Sequence, residues 1–253
     1  MSNTESPAMP VIRGSMLDEQ MMITEHLNAG ISRPQLLLWQ YDTAAIIMGC
    51  SQRPDEAQAQ RAEQLGLPIV RRGSGGGAVL AGPWMLSATL FIPVEHPVAA
   101  LNIIEIFSWL EKVWKQALID SGVPCKGVDK ALIDESKVIS KQHGVEWACY
   151  ASLSHGEVVS PDGRKLVGLA QIRKRQGVAL VSGLHLAPCD WRVLCDVVVN
   201  DTSQAVALES LNSNAEQLSG ISVVALLPEI IQRFSACLPN DFEIMSPVQG
   251  EGN

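Results

Sequence analysis

Residues 69–80 read Ile-Val-Arg-Arg-Gly-Ser-Gly-Gly-Gly-Ala-Val-Leu, an apolar run that ends in two arginines and is followed by three consecutive glycines. Glycine loses more backbone freedom on folding than any other residue, so this repetition favours a loop that approaches a ligand closely or gathers N–H groups around an anion. Arg71 and Arg72 add positive charge suited to a phosphate or a carboxylate. Because residues 85–92 read as a buried strand, we predict a ligand-binding loop between two strands.

The glycine loop differs from two common nucleotide-binding patterns. No Gly-Lys-Ser/Thr follows it, as a Walker loop requires. Residues 78–83 are apolar and end in a Gly-Pro step, so they would not open the helix of a dinucleotide-binding fingerprint. The spacing therefore excludes both of these phosphate-binding loops.

The loop resembles the lipoate-binding loop of the lipoate–protein ligase and octanoyltransferase family. The shared features are the order Arg-Arg-x-Ser-Gly-Gly-Gly-Ala-Val and a following strand that contains serine. In that family the loop wraps the acyl chain and any acyl-adenylate phosphate. The resemblance implies that seven residues bind substrate here: Arg71, Arg72, Ser74, Gly75, Gly76, Gly77 and Ala78.

A second motif lies in residues 162–173, which read Asp-Gly-Arg-Lys-Leu-Val-Gly-Leu-Ala-Gln-Ile-Arg. This segment resembles the family's Gly-x-Lys-x-x-Gly-x-Ala-Gln-x-Arg segment. The resemblance implies that the ammonium of Lys165 points at the acyl carbonyl and the adjoining phosphate or thioester, where it can stabilise a developing oxyanion. It also assigns Gly168, Ala170 and Gln171 to the substrate site.

Cys149 precedes Lys165 by sixteen residues, in the sequence Trp-Ala-Cys-Tyr. Family members that act through an acyl-cysteine resemble this arrangement, with an aromatic residue after the cysteine. A thiolate is the nucleophile in thioester exchange, and a neighbouring ammonium favours the thiolate. We therefore predict that Cys149 and Lys165 are the catalytic residues, Cys149 as acyl acceptor and donor.

Three functions are compatible with these motifs. The first is transfer of an octanoyl or lipoyl group through Cys149 to the lysine of a lipoyl carrier domain. The second is an ATP-dependent lipoate–protein ligase, which would form a lipoyl-adenylate with ATP and Mg²⁺ and would need no cysteine. The third is a non-catalytic relative that binds lipoyl groups or a partner enzyme. The resemblance covers about residues 16–235 and leaves no room for the accessory C-terminal domain of complete ligases, which favours the first function.

Two positions depart from the family pattern. Ala81 stands where the family commonly has histidine, which predicts a more apolar pocket rim. His185 follows Ser-Gly-Leu, whereas the family often places histidine before the glycine. We therefore interpret His185 as a structural or rim residue, not as a base.

The hydrophobic patterns predict helices at residues 16–27, 54–65, 100–118, 190–198 and 221–237. They predict strands at residues 35–41, 44–48, 85–92, 148–154, 157–159, 164–171 and 178–186, and loop with a short strand at 124–138. The long helix has one apolar face, formed by Leu101, Ile104, Phe107, Leu110, Val113, Trp114 and Leu118.

The implied fold is α/β (α+β), a mixed, largely antiparallel sheet flanked by helices, as in the catalytic domains of class II synthetases and biotinyl–lipoyl ligases. We expect the acyl tunnel between the glycine loop and the Lys165 strand. One catalytic domain is expected over residues 13–240, between flexible tails at residues 1–12 and 241–253.

The composition is that of a globular, acidic chain: 253 residues, 47% hydrophobic and 18% charged, with net charge −8 and a pI near 5.1. Acidity argues against nucleic-acid binding, and no run approaches the length of a membrane span. Six scattered cysteines without a Cys-x-x-Cys pair indicate neither a zinc site nor a dense disulfide framework. No permanently bound cofactor is expected, since the octanoyl or lipoyl group would be a substrate. The polar N-terminus lacks a signal core, which predicts a cytoplasmic protein.

The predicted partners follow from the family resemblance. They are an acyl carrier protein or a lipoyl-domain protein, such as the glycine cleavage H protein or a dehydrogenase E2 subunit. Because such carriers are often acidic, an acidic enzyme needs a local basic patch to dock one. The candidate residues for this patch are Arg164, Lys165, Arg173, Lys174 and Arg175.

Overall fold

The structure is a computed structural model that describes residues 10–246. The helices are α1 (Met16–Ala29), α2 (Glu56–Gln64), α3 (Ile103–Asp120), α4 (Lys130–Gln142), α5 (Trp191–Val199), α6 (Ala205–Leu211), α7 (Ala215–Ser219) and α8 (Val223–Ala236). The strands are β1 (Ile12–Gly14), β2 (Gln35–Tyr41), β3 (Ala45–Met48), β4 (Ile69–Arg71), β5 (Val79–Ala81), β6 (Met85–Pro93), β7 (Lys126–Gly127), β8 (Val158–Val159), β9 (Lys165–Lys174), β10 (Gly177–His185) and β11 (Glu243–Ile244).

An eight-stranded sheet forms the centre of the fold, in the order β1-β2-β6-β10-β9-β8-β7, with β11 also paired to β2. The pairs from β2 through β7 are antiparallel, whereas β1 and β11 run parallel to β2. Every residue of β6 is buried, because this strand lies between two core layers. Helices α3 and α8 pack in one layer, while α1, α5 and a smaller sheet pack in the other. The predicted fold class, a mixed and largely antiparallel sheet with flanking helices, is confirmed.

The smaller sheet has three strands in the order β4-β3-β5 and carries the glycine loop between β4 and β5. The loop lies between two strands, as predicted, but the strand that directly follows it is β5, and the strand predicted at residues 85–92 comes after β5 as β6. A turn at Gly82-Pro83-Trp84 then moves the chain into the large sheet, where the N–H of Met85 donates to the carbonyl of Gly82 at 2.9 Å. The loop therefore lies above the large sheet and can enclose a ligand against it.

Two segments beside the site differ from their predicted structure. Residues 130–142 form α4, not loop, because the side chain of Asp129 caps the helix by accepting from the N–H of Leu132 at 2.9 Å. The predicted strand at residues 148–154 is wrong, because the chain makes a tight 3₁₀ turn at Cys149–Ala151. Of the predicted strand at 157–159, only Val158–Val159 pairs in the sheet.

The predicted helix at residues 100–118 begins later than expected. Asn102 caps α3 by accepting from the N–H groups of Ile104 and Glu105, so Leu101 lies outside the helix. Ile104 was predicted to be a core residue, yet 54% of its surface is exposed. The sheet-facing stripe starts at Ile106, since the first turn of the helix projects past the core.

Parts of the predicted tails lie outside the described residues, namely residues 1–9 and 247–253. Within the described part, β1 begins at Ile12 and β11 pairs with β2 at Glu243–Ile244. The boundaries of the catalytic domain stay a prediction. Over residues 10–246, none of the helices combines the length and apolar character needed to cross a bilayer.

Candidate active site

A cavity of about 330 Å³ lies between the glycine loop, the 3₁₀ turn at Cys149–Ala151 and strands β9 and β10. Its walls bring together residues that are distant in sequence. From the predicted set they include Arg72, Ser74, Gly75, Gly76, Gly77, Cys149, Lys165, Gly168, Ala170 and Gln171. The cavity occupies the position predicted for the acyl tunnel, between the glycine loop and the Lys165 strand.

The glycine loop is fastened to the Cys149 turn by backbone hydrogen bonds. The N–H of Ala78 donates to the carbonyl of Trp147, and the N–H of Cys149 donates to the carbonyl of Ala78, both at 2.9 Å. A Cβ on Gly77 would lie 2.4 Å from the Trp147 carbonyl oxygen and 2.8 Å from the backbone nitrogen of Cys149. Only glycine allows the loop to approach the cysteine this closely.

The two arginines next to the loop have different surroundings. The Nε and Nη2 groups of Arg72 donate to the carbonyl of Gly75 at 3.0 and 2.8 Å, and Nη2 also donates to that of Gly77 at 2.9 Å. Arg72 therefore shapes the loop from within. Arg71 is exposed and lies along a separate groove beside α1. A substrate contact by either arginine stays a prediction.

Ser74 and Ala78 flank the three glycines. Ser74 is 5% exposed, borders the cavity and accepts through its carbonyl from the N–H of Cys50 at 2.8 Å. Ala78 is buried behind the cavity wall, where its backbone bonds the loop to the Cys149 turn. In this geometry Ala78 acts on the site through its backbone.

Gly49, at the end of β3, supports the loop from behind and provides a test of this packing. A Cβ on Gly49 would lie 2.2 Å from the carbonyl oxygen of Gly76, a backbone atom that cannot rotate away. We expect Gly49→Ala to lower the free energy of unfolding by about 1–3 kcal/mol through overpacking. Urea denaturation measures the change. The control is Gly75→Ala, where a Cβ meets no atom within 4 Å; equal losses in both variants would contradict the assigned packing.

The structure brings Cys149 and Lys165 together, as predicted. Cys149 is half-buried in the cavity wall, and Lys165 is 1% exposed at the start of β9. The Nζ atom of Lys165 lies 2.9 Å from the Cys149 carbonyl oxygen and 3.2 Å from that of Ser152. The ammonium therefore sits directly beneath the backbone that carries the candidate nucleophile.

Glu157 is a residue of the candidate site that the sequence analysis missed. Its Oε1 atom lies 2.7 Å from Lys165 Nζ, and both side chains are almost completely buried. Its other oxygen accepts from the N–H of Ser154 at 2.9 Å. Burial raises the pKa of the Glu157 carboxyl, and the ammonium of Lys165 opposes that rise. A single glutamate before a two-residue strand forms no sequence pattern that would predict its ion pair with Lys165.

Tyr150 and His185 form the layer behind Lys165. The Tyr150 hydroxyl donates to the Gly183 carbonyl at 2.7 Å, and its ring stacks on His185 with centroids 4.4 Å apart. Burial, aided by the positive charge of Lys165, lowers the pKa of His185 to about 3. His185 is therefore neutral near pH 7 and a weak base, which favours its interpretation as a structural residue.

The floor of the cavity is formed by β9 and β10. A Cβ on Gly168 or on Gly183 would lie 3.1 Å from the Tyr150 hydroxyl, so two paired glycines leave room for that side chain. Ala170 and Gln171 continue the wall along β9. The Nε2 atom of Gln171 is buried and has no hydrogen-bond partner among the described residues, so it is a free donor at the cavity wall.

Another polar group that sequence reasoning missed lies on the α1 side of the cavity. Glu19 is 1% exposed, and its Oε2 atom accepts from the Tyr41 hydroxyl at 2.6 Å. Its Oε1 atom and the Ser87 hydroxyl have no partner within residues 10–246. Burial raises the pKa of the Glu19 carboxyl. The cavity is thus apolar in part, with polar groups at several points of its wall.

Two sequence expectations about the surroundings of the site are corrected. Ala81 is fully buried in β5 and does not border the cavity, so its substitution for histidine does not make the rim more apolar. Lys165 does not belong to a surface basic patch, because it is buried and paired with Glu157. Arg164 and the group Arg173-Lys174-Arg175 lie at opposite ends of β9, about 30 Å apart at 3.3 Å per residue, so they do not form one patch.

No group of three or more His, Cys, Asp or Glu side chains in residues 10–246 is arranged to hold a metal ion. The cavity brings together a thiol, an ammonium and a carboxylate, at Cys149, Lys165 and Glu157. That combination suits acyl exchange at a sulfur atom.

This chain belongs to the lipoyl protein ligase A/B catalytic domain family, which matches residues 16–238. The family resemblance carried by the glycine loop and the Lys165 motif is thereby confirmed. Among its relatives is octanoyltransferase LipM from an Exiguobacterium species, 28% identical over 176 residues that cover 69% of this chain and 62% of that protein. The match thus spans less than two thirds of that relative's length. Octanoyltransferase LipM from Brevibacillus brevis is 25% identical over 244 residues, 94% of this chain and 84% of the relative.

Solved structures share the fold at low sequence identity. The bi-partite lipoate protein ligase from Thermoplasma acidophilum, studied with its E2 lipoyl domain, has a TM-score of 0.68 at 14% identity and covers 94% of this chain and 85% of its own. Lipoate-protein ligase A bound with ATP has a TM-score of 0.62 at 15% identity, covering 85% and 75% of the two chains.

Proposed function

We propose that this protein is an acyltransferase that passes an octanoyl or lipoyl group through a Cys149 thioester to the lysine of a lipoyl carrier domain. One observation carries the proposal: the half-buried Cys149 faces the cavity of the glycine loop, and the Lys165 ammonium lies 2.9 Å from its carbonyl oxygen. The names of the relatives, octanoyltransferases, support the same class of reaction.

Transfer would use two exchanges at one sulfur atom. First, the Cys149 thiolate attacks the carbonyl of an incoming thioester and a new C–S bond forms. The C–S bond to the carrier then breaks, and the leaving thiolate takes up the proton that Cys149 gave up on ionising. Second, the amine of the acceptor lysine attacks the Cys149 thioester, a C–N bond replaces the C–S bond, and the proton lost by the amine returns to the sulfur. Each exchange passes through an oxyanion that nearby positive charge and N–H donors stabilise.

The proposal also includes the acyl donor, the acceptor protein and the location of the enzyme. The acyl donor would be an acyl carrier protein, and the acceptor would be a lipoyl-domain protein such as the glycine cleavage H protein or a dehydrogenase E2 subunit. The acyl group would be a substrate, with no permanently bound cofactor. A cytoplasmic location is consistent with six free cysteines, since thiols persist in a reducing compartment.

Intact-mass spectrometry after mixing the protein with an octanoyl carrier protein, without ATP, tests the function. We expect one octanoyl adduct that hydroxylamine removes and that peptide mapping places on Cys149. Cys50, an exposed thiol, serves as the internal control for non-specific acylation.

The other outcomes identify other functions. If no adduct forms and lipoylated acceptor appears only with ATP, Mg²⁺ and free lipoate, the protein is a ligase. If neither donor yields a modified acceptor, the protein is a non-catalytic binder. An adduct on Cys50 alone would contradict the proposed mechanism.

A further inference from the structure

The hydrogen bonds of Lys165 account for every proton of its ammonium. A lysine side chain has three N–H donors and no acceptor. Here three acceptors surround Nζ: Glu157 Oε1 at 2.7 Å, the Cys149 carbonyl at 2.9 Å and the Ser152 carbonyl at 3.2 Å. No donor is therefore left for an acyl oxygen while all three contacts are made.

We propose that Glu157 is a positioning residue, which keeps Lys165 charged beside Cys149 while the ammonium exchanges its Ser152 contact for the acyl oxygen. This inference rests on the proposed function, because it assigns Lys165 to the oxyanion of that reaction. It adds a third residue, Glu157, to the pair that the sequence motifs reveal.

The three hydrogen bonds of Lys165 differ in the free-energy cost of breaking them. The bond to the Ser152 carbonyl is the longest, and Ser152 is half-buried on the cavity wall, where water can replace the lost donor. The bond to Glu157 joins opposite charges that are 98% and 97% removed from solvent. Breaking it would leave a buried carboxylate without a counter-ion, which is far more costly than exposing one carbonyl.

Glu157 itself is held in place from two sides. Its Oε2 atom accepts from the N–H of Ser154, and its backbone leads directly into β8, which pairs with β7 and β9. The carboxylate therefore cannot follow the ammonium when Lys165 turns towards the substrate. Because the carboxylate stays in place, the Lys165 ammonium can make only a small rotation while it keeps its bond to Glu157.

Two titratable groups packed behind Lys165, His185 and Tyr150, keep one protonation state near neutral pH. His185 on β10 is neutral, since its pKa is lowered to about 3. Burial raises the pKa of Tyr150, in the 3₁₀ turn, well above its ordinary value, so its hydroxyl stays protonated. Glu157 is thus the counter-ion of Lys165.

Glu157→Gln tests the proposal, because the amide has the shape of the carboxylate and keeps an acceptor oxygen but removes the charge. A buried ammonium without its counter-ion loses its proton more readily, so the charged fraction of Lys165 should fall as the pH rises. We expect the rate of Cys149 octanoylation to lie within about fivefold of wild type at pH 6 and about 100-fold below it at pH 9, with little change in KM. The matched control is Glu63→Gln, at an exposed position on α2.

A spectroscopic readout tests the same point without requiring transfer. In protein labelled with ¹³C at lysine Cε, the Lys165 signal, assigned with Lys165→Arg, should titrate between pH 6 and 9 in Glu157→Gln and stay that of an ammonium in the wild type. A rate loss that is equal at every pH, or a Lys165 signal that does not titrate in the variant, would overturn the positioning role. If the wild type shows no transfer at all, the proposed function fails, and the titration alone decides whether Glu157 holds Lys165 charged.

Discussion

Replacing Cys149 with serine should lower octanoyl transfer by at least about a thousand-fold while the fold survives. A serine hydroxyl is hardly ionised near neutral pH, and His185 could not activate it, since a pKa of about 3 makes that residue a weak base and it stacks behind Tyr150. The fold should tolerate the change, because Cys149 contacts the glycine loop through its backbone N–H. The measurements are the initial rate of transfer to a lipoyl domain and the thermal midpoint of unfolding.

Cys50→Ser is the matched control for this experiment. Cys50 is exposed and follows β3, and its backbone N–H bonds to Ser74, so the substitution leaves both the loop contact and the cavity unchanged. We expect wild-type transfer from this variant. Full activity of Cys149→Ser with ATP and free lipoate would instead assign the chain to adenylate chemistry and refute the thioester.

The second large effect is expected from Lys165→Ala, and it combines a loss of rate with a loss of stability. Removing the ammonium leaves the Glu157 carboxylate buried without a partner, which costs about 3–5 kcal/mol of the free energy of unfolding. Loss of a charged donor at the oxyanion should slow transfer by about two to three powers of ten. Urea denaturation and single-turnover acylation of Cys149 measure the two effects separately.

Two further variants separate charge from packing. Arg164→Ala removes the neighbouring arginine, whose ion pair with Asp162 is largely exposed, so we expect a stability change of about 0–1 kcal/mol. The double variant Lys165→Met/Glu157→Leu removes both buried charges and should regain most of the stability but none of the rate. If Lys165→Ala is as stable as wild type, the ion pair does not stabilise the site as assigned. If the double variant recovers transfer, the ammonium of Lys165 is not needed for the rate.

These two predictions concern different properties of one cavity. Cys149 is where the proposed chemistry occurs, and its loss should leave the structure intact. Lys165 and Glu157 lie below it in the interior, so the same side chains hold the turn in place and set the charge near the reacting atoms. A site built in this way couples catalysis to folding at Lys165 but not at Cys149.

The site's central residues could be predicted from local sequence. The three glycines, the spacing of Lys165, Gly168 and Gln171, and the cysteine sixteen residues upstream are short-range patterns, and they resemble the motifs of the family to which the chain belongs. The strand–turn–strand pattern of β9 and β10 could also be predicted from the sequence, since the apolar runs flank the basic residues 173–175. These features depend on neighbours along the chain, which the sequence displays directly.

Other features depend on residues that meet only in the folded protein. The pairing of Glu157 with Lys165 and the burial of Ala81 both follow from which strands adjoin. The turn at Cys149 was predicted as a strand because its apolar residues fit either structure. The hydrogen bond from the N–H of Cys149 to the carbonyl of Ala78 holds this turn, and it joins residues that are 71 positions apart in the chain. The sequence by itself determined which chemical groups the site contains, whereas the tertiary structure alone decided which of them are neighbours, because hydrogen bonding and burial act across space and leave no periodic mark on the chain.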